Sequence, residues 1–441
     1  MIPIKAKFIC TLAMGLGLLA FNACGGGYEP AAAPPPAPPP VPIPSEDEAI
    51  KISLRFLEDR IKRDPEDFIA HNQLAGYYLQ FLRETADTRY LELATRAARA
   101  SLGVLPPEMN TGGLAALTQV ELASHKFASA RDHAQQLVKI EPRRSLYHSL
   151  LIDALLELGD YDRAAIVLDG MEKATGNNVN TEVRFGRLAL LRGQTDLAAR
   201  RFATALAFAL NEAAPQRETV AWCRWQLGEI AYSTGRYEEA ERHYRDALVT
   251  FPDYYRAVAG LGRALAARGD RSGAIEQYER AVRILPDISF VAALGDLYTV
   301  AGRDREAQAQ YALVEQIARL SQLNGALYNR QLAMFYADHD MKTEEAYTLA
   351  KKEYETRKDI YGADAVAWAA LKAGLRAEAQ AAIKEAMRLG TRDAKILYHA
   401  GMIAGALGER NRAREYLRGA LALSPQFDPL QSSIAKRAVE E

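Results

Sequence analysis

The chain has 441 residues, with 55 Lys plus Arg against 56 Asp plus Glu and a net charge of −1. Near-neutral charge of mixed sign gives no basic excess of the kind nucleic-acid binding uses. Only three cysteines are present, one of them close to the start, so no disulfide framework is expected.

The opening residues, MIPIKAKFICTLAMGLGLLAFNACGGG, place two lysines before an apolar run from Phe8 to Phe21 and a small-residue junction. That order predicts a secretory signal over residues 1–23, too short and lopsided for a membrane span. The junction Phe21-Asn22-Ala23-Cys24 resembles a bacterial lipobox, although Phe21 and Asn22 depart from its usual Leu and Ala or Ser. The resemblance implies lipidation at Cys24 and contact with a membrane through that lipid only. Gly25 after the cysteine implies, by enteric-type sorting, an outer-membrane anchor facing the periplasm. The competing reading is an ordinary secretory signal cut near Ala20 or Ala23. Residues 24–44 are rich in Gly and Pro, with nine prolines in the fifteen residues from Pro30 to Pro44. They predict a semi-rigid polyproline-II tether whose proline stretch reaches about 45 Å at ~3.1 Å per residue.

From Ser45 the sequence SEDEAIKISLRFLEDRIKRDPED predicts a lone capping helix over residues 45–66, with a serine cap, an acidic first turn and Pro65 as its stop. Helix hairpins follow over residues 67–428. Gly228 and Gly262, Gly235 and Gly269, Ala240 and Ala274, Tyr244 and Tyr278, Ala247 and Ala281, and Pro252 and Pro286 all differ by 34. Leu227, Gly228 and Ala231 share one face of a first helix, and Ala240, Tyr244 and Ala247 one face of a second. Small residues let the two helices close up, and the tyrosine fills the space between them. Gly235 ends the first helix and Pro252 the second. The alanine opening the second helix recurs as Ala94, Ala130, Ala164, Ala198, Ala240, Ala274, Ala307, Ala346, Ala379 and Ala413, giving ten units. The inter-helix glycine recurs as Gly159, Gly193, Gly235, Gly269, Gly302, Gly374 and Gly408.

This motif resembles the tetratricopeptide repeat (TPR). The resemblance implies an all-α, right-handed superhelical solenoid of about ten helix hairpins, in which each unit contacts mainly its neighbours. Two steps are long. Surplus residues around Phe208–Thr219 predict a lengthened helix or loop, and a second surplus falls near residues 320–325 and 338–341. Cys223 is expected in the core. Residues 429–441 predict a C-terminal capping helix with a polar outer side, which an open stack requires for solubility.

The sequence contains no GxxxxGK[ST], HExxH, CxxC pair or GxSxG, and none of its seven histidines pairs with another three or four residues away. Ser433-x-x-Lys436 lacks the companion motifs of serine–lysine enzymes and reads as a turn of the last helix. Gly260-x-Gly262 belongs to the helix-packing register. No enzyme, metal site or cofactor is expected. The TPR resemblance places partner-facing residues at the second, fifth, ninth and twelfth positions of each first helix. In the fifth unit these are Trp222, Trp225, Glu229 and Tyr232, one helical stripe, flanked by Arg187, Arg256 and Arg263 of neighbouring units. Elsewhere the same positions hold Asp153, Asp296, Tyr361, Trp368, Tyr398 and Met402, a mixture that names no ligand. Aromatic anchors rimmed by arginine suit a protein or peptide segment. The alternative is that residues 208–219 cover the stripe and bury it as ordinary core. The expected function is a non-enzymatic lipoprotein scaffold or assembly adaptor of the cell envelope. The order of lipobox, tether and repeats resembles lipoproteins of pilus secretin assembly, exopolysaccharide export and cell-wall enzyme recruitment. The other reading is a glycan-binding solenoid whose aromatics stack on sugar rings.

Overall fold

The computed structural model describes residues 38–45, 47–323 and 329–440, with side chains throughout except at 322, 323 and 329. The expected signal over residues 1–23, the lipidation site Cys24 and the tether as far as residue 37 lie outside the described residues. Helix α1 (Asp47–Arg63) stands alone at the start. Five antiparallel hairpins follow: α2 (Phe68–Thr85) with α3 (Arg89–Val104), α4 (Thr111–Ala123) with α5 (Phe127–Ile140), α6 (Ser145–Glu157) with α7 (Tyr161–Thr175), α8 (Val179–Leu191) with α9 (Thr195–Leu210), and α10 (Arg217–Ser233) with α11 (Tyr237–Thr250). Five more complete the stack: α12 (Tyr255–Ala267) with α13 (Arg271–Ile284), α14 (Ile288–Val300) with α15 (Asp304–Leu323), α16 (Asn329–Asp338) with α17 (Thr343–Tyr354), α18 (Ile360–Lys372) with α19 (Arg376–Ala386), and α20 (Ala394–Ala406) with α21 (Arg410–Leu423). Helix α22 (Gln431–Glu440) closes the chain. The expected all-helical solenoid of about ten hairpins is what the described residues form.

One device sets the helix spacing in five hairpins. A Cβ at Gly186, Gly228, Gly262, Gly295 or Gly401 would fall within 2.8 Å of the side chain sixteen residues later: Phe202, Tyr244, Tyr278, Tyr311 or Leu417. The Tyr244 ring also lies against Gly260 of the next unit and is fully buried. The large side chain thus fills the gap that two small residues open.

All seven inter-helix glycines marked in the sequence adopt positive φ, between 69° and 91°. Three hairpins lack the glycine, and there Ala86, His125 and Asp340 take up a positive φ of 53–56° instead. The surplus at 208–219 lengthens two helices, giving α9 16 residues and α10 17 against 13 for α12. It runs toward the N-terminal hairpin: Arg217 pairs with Asp47 and Glu84, each at 2.7 Å, and Glu218 approaches Arg83 at 3.7 Å. Cys223 is fully buried as expected, and burial pushes its thiol pKa up to about 12.

The core is built mainly between neighbouring units, as expected, and the stack also meets itself at a few turns. A Cβ at Gly159 or Gly193 would collide with the carbonyl oxygens of Lys358 and Gly390, and one at Gly235 would sit 3.1 Å from that of Leu423. Three successive hairpin turns therefore rest on three successive inter-unit turns from a later pass of the coil. The Ile360 N–H donates to the Tyr161 hydroxyl (2.8 Å) and the Gln426 N–H to the Tyr237 hydroxyl (2.7 Å). Arg388 donates to the Gly159 carbonyl (2.6 Å), and the Thr391 hydroxyl donates to that of Leu191. The stretch expected as tether through residue 44 is likewise docked from residue 38 onward. The fully buried Arg224 donates to the carbonyls of Pro38 (2.9 Å) and Pro39 (3.0 Å), and Thr250 donates to that of Val41 (3.2 Å). Ile43 packs against the core around Phe202.

Substitutions at two of these turns separate local strain from contact with the other pass. Gly374 has φ +76° in open space, whereas Gly159 has φ +74° with Lys358 against it. Gly374→Ala should cost about 1 kcal/mol of backbone strain. Gly159→Ala should cost about 2 kcal/mol more, because the turn on the other pass must move; urea unfolding of the two variants measures the difference. His125 has its pKa lowered to about 4 by burial and by the Arg357 guanidinium. Its folded value lies below the unfolded one near 6.5, so the neutral ring's contribution is complete above pH 6.5 and is lost as pH falls toward 4. Asn tolerates positive φ, so His125→Asn should remove roughly 2 kcal/mol of the destabilisation between pH 7 and 4.5, read from urea midpoints at both pH values.

Candidate functional site

The stripe expected on α10 is present, and its four residues fall into different environments. Leu227, Gly228 and Ala231 turn into the hairpin core, which leaves Trp222, Trp225, Glu229 and Tyr232 on the opposite side. Trp222 is half-buried and meets the Phe202 ring edge-on, with centroids 5.7 Å apart. Trp225 is half-buried with the Arg256 guanidinium 5.4 Å from its ring centroid. Both tryptophans pack in part against the core around Phe251 and Tyr254. Glu229 accepts from the Tyr244 hydroxyl (2.7 Å) and from Arg263 (2.6 Å). Tyr232 is buried, and its hydroxyl donates to the Gln426 carbonyl at 2.9 Å. The chain's own C-terminal turn therefore covers the fourth position of the stripe, and burial pushes the Tyr232 pKa well up.

The flanking arginines divide in the same way. Arg263 is committed to Glu229 and lies 4.1 Å from the Tyr232 ring centroid. Arg187 pairs with Asp153 (2.9 Å) and Glu157 (3.3 Å). These belong to a network of four arginines and four carboxylates. Arg184 joins Asp153 (2.5 Å), Arg357 joins Glu157 (2.5 Å) and Asp359 (3.2 Å), and Arg330 joins Asp359 (2.9 Å) and Glu353 (3.3 Å). Burial works against ionisation of Glu157, but Arg357 and Arg187 outweigh it and hold its pKa below the ordinary value. Glu157 thus ties α6 to the later pass of the coil. Arg256 stands apart. Among the described residues no carboxylate lies within ion-pair distance of it, and its guanidinium rests on the faces of Trp225 and Tyr255.

The remaining first-helix positions form polar clusters that the sequence left unread. Asp338 accepts from Trp368 Nε1 (2.8 Å), Lys395 Nζ (2.9 Å) and Gln431 Nε2 (2.6 Å). His399 contacts Asp364 through Nδ1 (2.9 Å) and stacks on Trp368 at 4.4 Å. His339 Nε2 contacts Asp296 (2.8 Å), which also accepts from the Tyr311 hydroxyl (2.9 Å). The signal for these pairs is the TPR register itself, which puts Asp364 at the fifth position and Asp296 and Trp368 at the ninth of their first helices. Apart from Tyr311, which shares a hairpin with Asp296, their partners come from other units and carry no local motif. Tyr361, at the second position of its unit, is 40% exposed, and Tyr398 is buried. Among the described residues no group of three or more His, Cys, Asp or Glu is placed to hold a metal ion. What remains on the stripe is Trp222, Trp225 and Arg256, two half-buried aromatic surfaces and one cation with no carboxylate at ion-pair distance among the described residues, although Glu218 lies close enough to feel its charge.

A family model described as tetratricopeptide repeat matches residues 116–178 and 226–287. Two further models with the same description match residues 178–249 and 394–427. No curated protein sequence matches the chain. Similar solved structures include TTC0263, a thermophilic TPR protein of Thermus thermophilus, at 21% identity over 44% of this chain and 99% of that one, with a TM-score of 0.38. YrrB, described as a TPR protein with an unusual peptide-binding site, is 16% identical over 40% of this chain and 86% of its own, with a TM-score of 0.29. The human IFIT1 dimer with PPP-AAAA is 16% identical over 86% of this chain and 95% of its own, with a TM-score of 0.46. The glycine–tyrosine hairpins, their period and the matched segments lead to one assignment: the chain belongs to the tetratricopeptide-repeat family.

Proposed function

We propose that this TPR protein is a non-enzymatic, lipid-anchored scaffold of a bacterial cell envelope. In this reading it faces the periplasm and holds a segment of a partner protein at Trp222, Trp225 and Arg256. Tetratricopeptide repeats are protein-interaction scaffolds, and the particular surface is argued from the residues. The observation that carries it is the asymmetry among the arginines: Arg187 and Arg263 are in direct ion pairs, whereas Arg256 lies over Trp225 and Tyr255 with no carboxylate of the described residues at ion-pair distance. A partner carboxylate beside an apolar side chain would complete that arrangement, the acid on Arg256 and the apolar group on the tryptophans. The anchor is supported by the leader and the lipobox-like junction at Cys24, and the docked residues 38–45 would then set where the chain leaves the solenoid toward the membrane.

One experiment with two readouts tests this. Full-length protein is crosslinked in intact envelopes and recovered as wild type, Trp225→Ala and Arg256→Ala. Each variant should keep at most about a tenth of the partner the wild type recovers, the loss expected when an anchor worth ~1.4 kcal/mol or more is removed. Undiminished recovery would overturn the groove, and lost glycan retention with an unchanged set of proteins would favour a sugar ligand. Mass spectrometry of the recovered amino terminus should find a lipid on Cys24; an unmodified start at another residue would remove the anchor.

A further inference from the structure

The two ends of the stack are finished differently. Helix α22 presents Ser433, Lys436 and Arg437 to solvent, the polar outer side that a solenoid end needs. Helix α1 turns Ile50 and Leu57 inward but leaves Ile52 59% and Phe56 58% exposed. Beside Phe56 lies a hollow of about 310 Å³ between α1 and α2, lined by Gln73, Tyr77 and Gln80. Gly76 also lines it, and a Cβ there would meet nothing within 4 Å. A protruding apolar pair and a vacant hollow therefore share one patch.

The charges around this patch say what fits it. Helical spacing puts Glu48, Lys51, Ile52, Phe56, Asp59 and Lys62 on one exposed stripe of α1. The helix starts acidic, at Asp47 and Glu48, and ends basic, at Arg60, Lys62 and Arg63. Read from its two ends, the stripe complements itself. Laid antiparallel on a copy of itself, it sets Glu48 against Lys62 and Lys51 against Asp59, and brings Ile52 to within about half a helical turn of the copy's Phe56 beside the hollow. Such self-complementarity about one axis is what a two-fold symmetric contact requires. Within one chain Glu48 pairs with Lys51 (2.7 Å) and Asp59 with Lys62 (2.8 Å), all four strongly exposed, so these bonds can be exchanged at small cost. Only Arg55, near the middle of the stripe, would face its own copy.

We propose that two copies of this chain dimerise through α1, packed antiparallel about a two-fold axis through the middle of that helix. The apolar pair and the hollow supply the contact, and the charges fix its direction and register. This does not depend on the groove or the lipid anchor proposed above.

Sedimentation velocity of the full-length chain over roughly 1–100 µM, the range of a modest interface, tests it. The wild type should pass from one chain to two. Phe56→Glu should stay monomeric throughout, with unchanged circular dichroism and melting temperature because the side chain is exposed. Glu48→Lys and Lys62→Glu should each weaken association several-fold, and the double variant should restore it. Arg55→Ala should tighten it. A wild type that remains monomeric, a Phe56→Glu variant that still dimerises, or a double charge swap no better than either single one would overturn the proposal. So would a preference of this face for the helix of a different protein with no self-association.

Discussion

The rest of the structure depends on a contact between turns from two passes of one helical stack. A helix leaves its first N–H groups and last C=O groups without intrahelical partners, and burying them unsatisfied is costly. Ile360, the first residue of α18, gives its N–H to the hydroxyl of Tyr161, 199 residues earlier in the chain. Leu191, at the end of α8, receives the Thr391 hydroxyl on its carbonyl. Each pass supplies what the helix ends of the other lack, and the backbones can come this close because Gly159 and Gly193 have no side chain in the way.

That contact changes how the solenoid behaves as a body. A simple stack of hairpins has a stability close to a sum of units and neighbour interfaces. Here removal of α16–α18 would also strip partners from Glu157, Gly159 and Tyr161, so damage at one place is felt about 200 residues away. The same closure consumes part of the inner surface. Tyr232 is sealed by the turn at Gln426, and, independently of the closure, Arg187 is neutralised by Asp153 and Glu157 of the preceding unit. In the function proposed above, an incoming segment would meet the aromatic pair Trp222 and Trp225 with Arg256.

Much of the fold was legible in the residues because its causes are local. The 34-residue period, the glycine facing a tyrosine sixteen positions later and the positive-φ glycine between helices each follow from the steric needs of one hairpin. Ala86, His125 and Asp340 were not legible as turn residues, since surrounding contacts hold them where glycine would be the unforced choice. The return of the coil was hidden for a different reason. Gly159 and Gly374 look identical in the sequence, both between helices and both at positive φ, yet only Gly159 is approached by another backbone. Of the candidate site, the helix face was readable from the register. The carboxylates that claim Arg187 and Arg263 stand one 34-residue period earlier, at the same position of the preceding unit, so the repeat itself brings Asp153 to Arg187 and Glu229 to Arg263.

The most direct test is amide-resolved hydrogen exchange at Ile360. As the first residue of α18 its N–H has no acceptor within its own helix, so any protection must come from Tyr161 on the earlier pass. The account predicts slow exchange at Ile360 in the wild type. In Tyr161→Phe, Ile360 should exchange rapidly while amides in the middle of α18 keep their protection. Free exchange at Ile360 in the unmodified protein would mean that the two passes do not touch, and the closed coil argued here would be wrong.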